Sequence, residues 1–271
     1  MQLNLTEIVR TRVGGWKGRM IPGWLLRGLE RLIRQDELNE MLRVGYPLEG
    51  WRFSERILEY LEIEVTVKGL EDLPEGKQYM FASNHPLGGL DGIAMVYVLG
   101  RKYGDSNIRV LVNDLLMNVE PLAGVFLPVN KFGKAGARES TRLLNEAMAA
   151  GCQILMFPAG LVSRLHPGGV IKDLEWQKTF VSKALEYGCD IVPVRFHGEN
   201  TMKFYKTAKR RKQLGLKINV EQALLPSEVC KSRGKKFEIV FKAPIDPAAL
   251  KAEGLRPKEI AQMVYDKVYE K

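Results

Sequence analysis

Cysteine is scarce in this chain of 271 residues, occurring only as Cys152, Cys189 and Cys230. Odd in number and far apart, these encode neither a disulfide framework nor a zinc ribbon, and a reducing compartment is expected. Histidine is equally scarce, and the scattered spacing of His85, His166 and His197 makes no metal-ligand motif. No apolar run approaches the roughly 18 residues of a spanning helix. At the N-terminus Glu7, Arg10 and Arg12 interrupt any apolar segment, so neither export nor membrane spanning is expected. Internal repeats, low-complexity tracts and a convincing linker are lacking too.

What is present belongs to a chain that folds in water. Hydrophobic residues make up 45% and charged residues 27%, which argues against a disordered, collagenous or multi-span membrane protein. Lys plus Arg number 41 against 32 Asp plus Glu, a net charge of +9 that points to an anionic partner or substrate. Surface attachment to a membrane needs only an amphipathic or basic face and stays open.

From Pro22 to Arg34, Leu25, Leu26, Leu29, Leu32 and Ile33 recur at helical spacing, with Arg27, Arg31 and Arg34 on another face. The apolar face of this helix either docks on the main body or enters a membrane surface. A short helix from about Ser54 to Leu61 leads into an alternating strand, Ile63 to Lys68. Residues 1–62 therefore read as an N-terminal helical segment and a candidate membrane contact, and residues 63–271 as an α/β body. In that body strands are expected at Gln78 to Ser83, Arg109 to Val112, Gln153 to Phe157, Asp190 to Phe196 and Phe237 to Lys242. Helices are expected from Asp91 to about Tyr103, Ala135 to Ala150, Glu175 to Tyr187, Met202 to Gln213 and Pro257 to Tyr269. The fold class is α/β, a largely parallel or mixed central sheet covered by helices on both faces. In such sheets function gathers in loops beyond the carboxyl ends of the strands.

One such loop is Ser83-Asn84-His85-Pro86-Leu87-Gly88-Gly89-Leu90-Asp91-Gly92. Pro86 holds His85 extended, and the two glycines let the chain turn sharply. Two readings fit Asp91. Folded back on His85, its carboxylate fixes the imidazole tautomer and raises the basicity of the other ring nitrogen, giving a dyad able to deprotonate a hydroxyl; alternatively it only caps the following helix. A second loop, Phe157-Pro158-Ala159-Gly160-Leu161-Val162-Ser163-Arg164, also follows a strand. Taken alone it is a turn, but backbone N–H groups near Gly160, the Ser163 hydroxyl and the Arg164 guanidinium suit an anion or oxyanion pocket.

In this order and spacing the two loops resemble the motifs of the lysophospholipid acyltransferase superfamily. Its first motif, Asn-His-x4-Asp, is matched by Asn84-His85 and Asp91 with one extra residue between them. Its third, Phe-Pro-Glu-Gly-Thr-Arg-Ser, is matched by Phe157-Pro158, Gly160, Ser163 and Arg164. A fourth, a proline-centred apolar strand, is matched by Ile191-Val192-Pro193-Val194, and Gly124 fits the start of the second motif. Ala159 stands where the third motif has glutamate, and Asn130, followed by Lys131, where the second has arginine. Those two positions help phosphate-using members hold glycerol phosphate, so the departures imply another acceptor headgroup. The motif forms are similar to those of the ornithine-lipid and glycine-lipid O-acyltransferases, also labelled hemolysins, whose acceptor is an N-(3-hydroxyacyl) amino acid.

The resemblance implies an O-acyltransferase of membrane lipid biosynthesis that takes a fatty acyl group from acyl carrier protein or CoA and uses no cofactor. His85 and Asp91 would be catalytic, and Asn130, Lys131, Phe157, Pro158, Ala159, Gly160, Ser163 and Arg164 would line the substrate site. An ordinary lysophosphatidic acid acyltransferase and a catalytically inactive basic lipid-binding module are the competing readings. The basic run Lys203, Lys206, Lys209, Arg210, Arg211, Lys212 and Lys217 contains no acid, and reads as a solvated helix face, a surface for anionic lipid headgroups or one for an acidic carrier protein. A peripheral, cytoplasmic place on the inner face of a membrane follows as an expectation. Nothing resembles a nucleic-acid-binding motif, and no nucleic-acid partner is expected.

Overall fold

Side chains alternate in direction along a strand, so one apolar run can feed two cores. The run Tyr79–Ser83 (β2) does this: all five residues are buried, Tyr79 and Phe81 joining one apolar cluster and Met80 and Ala82 another. The computed structural model describes residues 3–14, 20–129, 134–216 and 219–270. Among these, seven strands form one mixed sheet in the order β1-β9-β8-β2-β5-β3-β4. They are Glu64–Lys68 (β1), β2, Ile108–Asn113 (β3), Phe126–Val129 (β4), Gln153–Met156 (β5), Asp190–His197 (β8) and Lys236–Phe241 (β9). A hairpin of Arg164–Leu165 (β6) and Ile171–Lys172 (β7) stands apart from it.

Helices cover both faces. On the first, Gly50–Tyr60 and Leu90–Tyr103 bring Phe53, Ile57, Leu58, Leu90, Ala94, Met95 and Val98 onto Phe81, Val110 and Val192. On the second, Lys134–Ala149, Thr179–Tyr187 and Pro257–Tyr269 bring Leu144, Met148, Phe180, Val181, Ile260 and Val264 onto Met80, Ile154 and Ile191. Each fully buried large apolar side chain contributes about 1.5–3 kcal/mol. The N-terminal helices Gln35–Gly45 and Gly50–Tyr60 share the first of these cores through Met41, Leu42, Phe53 and Ile57. No helix among the described residues is long and apolar enough to cross a membrane.

Strands β8, β2, β5, β3 and β4 run parallel, whereas β9 returns antiparallel to β8 and β1 runs with β9. The reversal has a simple cause. After His197 the chain stays at the carboxyl edge of the sheet, building the helices Met202–Gln213 and Leu225–Cys230, so β9 must start from that edge. Pro193 sits in β8 although it cannot donate to a ladder. It falls between the pairings Val194 with Phe241 and Ile191 with Ile245, where the neighbouring chain bulges and needs no donor.

The helix Gly23–Ile33 buries only Leu26 and Ile33 and leaves Trp24, Leu25 and Leu32 exposed. Arg34 adopts φ 59°, ends that helix and pairs with Glu37 at 2.5 Å, so it does not continue the face of Arg27 and Arg31. Glu175 to Gln177, expected to begin a helix, have no regular structure, Lys178 caps the helix, and the helix starts at Thr179. Trp176 is instead turned to hydrogen-bond Asp173, and the Gln177 N–H donates to the Pro158 carbonyl at 3.0 Å.

Candidate active site

Strands β2 and β5 are parallel neighbours with Ala82 opposite Met156, so the loops that leave their carboxyl ends start side by side. The expected loops therefore meet. The His85 ring stacks on Phe157 with centroids 4.2 Å apart, and the Ser163 N–H donates to the His85 carbonyl at 2.8 Å. Asn84, 2% exposed, fixes the base of the first loop: its amide donates to the Phe196 carbonyl at 2.9 Å and accepts the Phe196 N–H at 2.6 Å. The motif asparagine thus ties the histidine to β8 rather than facing a ligand.

Asp91 is wholly buried, and its Oδ2 lies 3.0 Å from His85 Nδ1. The same oxygen accepts the N–H groups of Leu87 at 2.9 Å and Gly88 at 3.1 Å, while Oδ1 accepts that of Gly92 at 2.9 Å. Three backbone donors require an acceptor, so the proton on the imidazole side belongs to Nδ1 and the lone pair is left on Nε2. Pairing with the ring and satisfying the loop's N–H groups are therefore not alternatives: one carboxylate does both. The loop turns at Gly88, which adopts φ 92°. A Cβ there would lie 2.9 Å from Leu225 Cδ1 and 3.0 Å from Val162 Cγ2.

Burial works against a charged His85, but the adjacent Asp91 carboxylate, by charge and hydrogen bond, overrides it and holds the imidazole pKa above the ordinary histidine value. Asp173 adds to this and Arg164 opposes it. For Asp91, burial would raise the carboxyl, yet His85 and the Leu87 and Gly88 N–H groups keep it below the usual range. The His85 side chain retains 16% exposure, and among the described residues nothing hydrogen-bonds Nε2. A base of raised affinity whose Nε2 has no hydrogen-bond partner among the described residues is what removal of a hydroxyl proton requires.

In the second loop Gly160 turns the chain at φ 62°, its N–H donating to the Phe157 carbonyl at 2.9 Å. Pro158 is buried, and Ala159 leans on the second core. The Ser163 hydroxyl donates to Asp173, and Arg164 donates to the Val162 carbonyl at 2.6 Å and pairs with Glu221 at 2.9 Å. Glu221 is wholly buried and also meets Arg211 at 3.0 Å, so two cations share one carboxylate. Asn130 and Lys131 lie outside the described residues. His166 is a hairpin residue, its Nε2 3.3 Å from the Lys172 carbonyl oxygen, and His197 sits at the surface 3.8 Å from Glu238.

Sequence reasoning missed Asp173, Asn200 and Glu221. Asn200 donates to the Pro86 and Leu87 carbonyls at 3.1 and 3.4 Å, tying the segment after β8 onto the histidine loop. Glu221 left a trace, being the first acid after the basic run. Asp173 left none, since only folding of the β6–β7 hairpin returns it to His85.

A family profile described as acyltransferase matches residues 12–270. A lyso-glycine lipid O-acyltransferase of Phocaeicola vulgatus is 42% identical over 267 residues, covering 98% of this chain and 94% of that protein. Its namesake in Bacteroides thetaiotaomicron is 41% identical over 267 residues, covering 98% and 96%. Among solved structures, the 1-acyl-sn-glycerophosphate acyltransferase PlsC of Thermotoga maritima overlaps with a TM-score of 0.48 at 18% identity, over 93% of this chain and 83% of that one.

Proposed function

Because this chain belongs to the acyltransferase family, we propose that it transfers a fatty acyl group from a thioester to the hydroxyl of a single-chain N-(3-hydroxyacyl) amino-acid lipid. The observation that carries the reading is the buried Asp91 on His85 Nδ1, with no described residue hydrogen-bonded to Nε2. Nε2 takes the hydroxyl proton as the oxygen attacks the thioester carbonyl. The tetrahedral adduct then collapses, expelling the thiolate, which recovers the proton from the imidazolium. No covalent enzyme intermediate and no cofactor are needed. The loop from Phe157 to Arg164, with the Arg164 and Arg211 guanidinium groups behind it, stabilises the developing oxyanion and the acceptor's carboxylate. Acyl carrier protein or CoA supplies the thioester.

The acceptor follows from two supports. Both lyso-glycine lipid O-acyltransferases are similar over nearly the whole chain. Ala159 and Asn130 stand where phosphate-using members have glutamate and arginine, so a fixed cation that would grip phosphate bidentately is gone.

The substrate lives in a bilayer, and the surface around the site suits one. The helix Gly23–Ile33 packs on the segments 220–224 and 225–230, and the helix Met202–Gln213 packs on 220–224 and on β6. These elements expose Trp24, Leu25, Met202 and Val220 together with Arg27, Arg31, Lys203, Lys206, Lys209 and Lys212. In this reading the helices Gly23–Ile33 and Met202–Gln213 form one peripheral docking face on the cytoplasmic side, aromatic and aliphatic groups entering the headgroup layer and cations meeting anionic lipid.

The deciding assay offers labelled acyl carrier protein and acyl-CoA with N-(3-hydroxyacyl)glycine, N-(3-hydroxyacyl)ornithine and lysophosphatidic acid. Esterification of a hydroxyacyl amino acid in preference to lysophosphatidic acid is expected. The reverse preference removes the acceptor, and no ester with any acceptor removes the reading.

A further inference from the structure

Asp173 lies directly after β7, is 1% exposed, and belongs to none of the motifs by which the two loops are recognised. Its carboxylate nevertheless meets the base itself. Both oxygens lie 3.2 Å from the His85 main-chain nitrogen, whose N–H they accept. Oδ1 also accepts the Ser163 hydroxyl, and Oδ2 the Trp176 indole N–H at 3.0 Å. Ser163 in turn donates its own N–H to the His85 carbonyl. The result is a closed ring in which His85 is gripped by N–H and C=O alike. The ring is anchored behind by the C-terminal helix: Asp173 donates its N–H to the Tyr269 hydroxyl at 2.8 Å, and the Tyr265 hydroxyl donates to the Asp173 carbonyl at 3.2 Å.

A buried carboxylate with several donors is expensive unless something uses it, since an apolar core could close the same gap more cheaply. Here the Asp173 carboxylate and the Ser163 N–H converge on the main chain of the one residue whose side chain must stay aligned. We propose that Asp173 is a positioning residue for the general base, clamping His85 to Ser163 so that the imidazole stays seated between Phe157 and Asp91 and the imidazolium formed in turnover has a second carboxylate nearby. The inference rests on His85 acting as the base.

Clamp and mere core strut differ in what they move. The charged groups facing His85 are Asp91 from the helix Leu90–Tyr103, Asp173 after β7 and Arg164 of β6. Tyr265 and Tyr269 from the C-terminal helix, with Arg195 of β8 over the Tyr269 ring, face Asp173. Asp173→Asn keeps the shape and deletes one negative charge acting on His85. Misplacement of a reacting group by about 1 Å can cost ~100-fold, so kcat is expected to fall roughly 10- to 100-fold with acceptor KM within about twofold. The ascending limb of kcat/KM is expected to move to lower pH, because a charge that raises the His85 pKa has gone.

The test measures melting, kcat, KM and the pH profile for wild type, His85→Ala, Asp173→Asn and Trp176→Phe. Trp176→Phe loosens the carboxylate without removing charge, so a lower kcat with an unmoved pH midpoint is expected. It carries the test alone if Asp173→Asn does not fold, an unchanged kcat then overturning the inference. With His85→Ala inactive, a folded Asp173→Asn protein of wild-type kcat and pH midpoint also overturns it, leaving the base intact. Wild-type turnover in a folded His85→Ala protein removes the base and this inference with it.

Discussion

The loop after β2 and the surface from Met202 to Val220 are adjacent in space but use charge in opposite ways. Around His85 each ionic group is committed: Asp91 to the imidazole and backbone N–H groups, Asp173 to His85, Ser163 and Trp176, and Glu221 to Arg164 and Arg211. On the helix Met202–Gln213 four lysines and Arg210 stand in solvent. Arg211 marks the border, because it turns inward to Glu221 while its neighbours point outward. Buried charge must be matched or it destabilises, and once matched it fixes geometry. Exposed charge costs little and acts at a distance, which suits the membrane-facing role proposed for this surface.

The largest way to break the contrast is His85→Ala. Loss of a general base should lower turnover by about 10²- to 10⁴-fold in a protein that still folds, with melting lowered because the buried Asp91 loses its imidazole partner and keeps only its backbone donors. Next is Glu221→Gln, which leaves Arg164 and Arg211 facing one neutral amide. Removing the shared partner of two largely buried guanidinium groups costs on the order of 3 kcal/mol, read as a lower urea midpoint, and solvent at the 12% and 16% exposed arginines will soften it. Smaller still is Arg27→Glu with Arg31→Glu. At about 1 kcal/mol for each cation near an anionic surface, the pair should weaken binding to anionic vesicles at least tenfold and leave activity on detergent-dispersed lipid alone. Salt should act similarly, shortening the Debye length from about 10 Å at 0.1 M to 3 Å at 1 M. Equal, salt-insensitive binding to neutral and anionic vesicles would assign attachment to Trp24 and Leu25 instead.

Legibility in the sequence divides along the same line. Local periodicity yields the helices Met202–Gln213 and Pro257–Tyr269 to the residue, and most strands to within one or two. It does not yield β4, a four-residue edge strand containing Pro128, or the two-residue strands of the β6–β7 hairpin, which are too short to show a period. His85 and Asp91 are legible because a glycine hinge places them within one loop. Asp173 and Glu221 are not, because they reach His85 and Arg164 across 88 and 57 residues and no local pattern encodes such a meeting. The near end of the helix expected from Glu175 fails for the same reason: Trp176 and Gln177 are claimed by tertiary hydrogen bonds.

The central claim is that His85 is the base and that the buried Asp91 sets its proton affinity. It is tested most directly by the pH dependence of kcat/KM for ester formation on N-(3-hydroxyacyl)glycine, in wild type and in Asp91→Asn. Only neutral His85 accepts the hydroxyl proton, so activity should rise with pH through the imidazole pKa, with a wild-type midpoint above the ordinary value of 6.5. In Asp91→Asn the largest raising influence is gone while burial and Arg164 still lower the pKa, so the midpoint should fall below the wild-type value and the plateau rate should drop. A profile flat across this range in wild type, or the same midpoint in both proteins, would contradict the account.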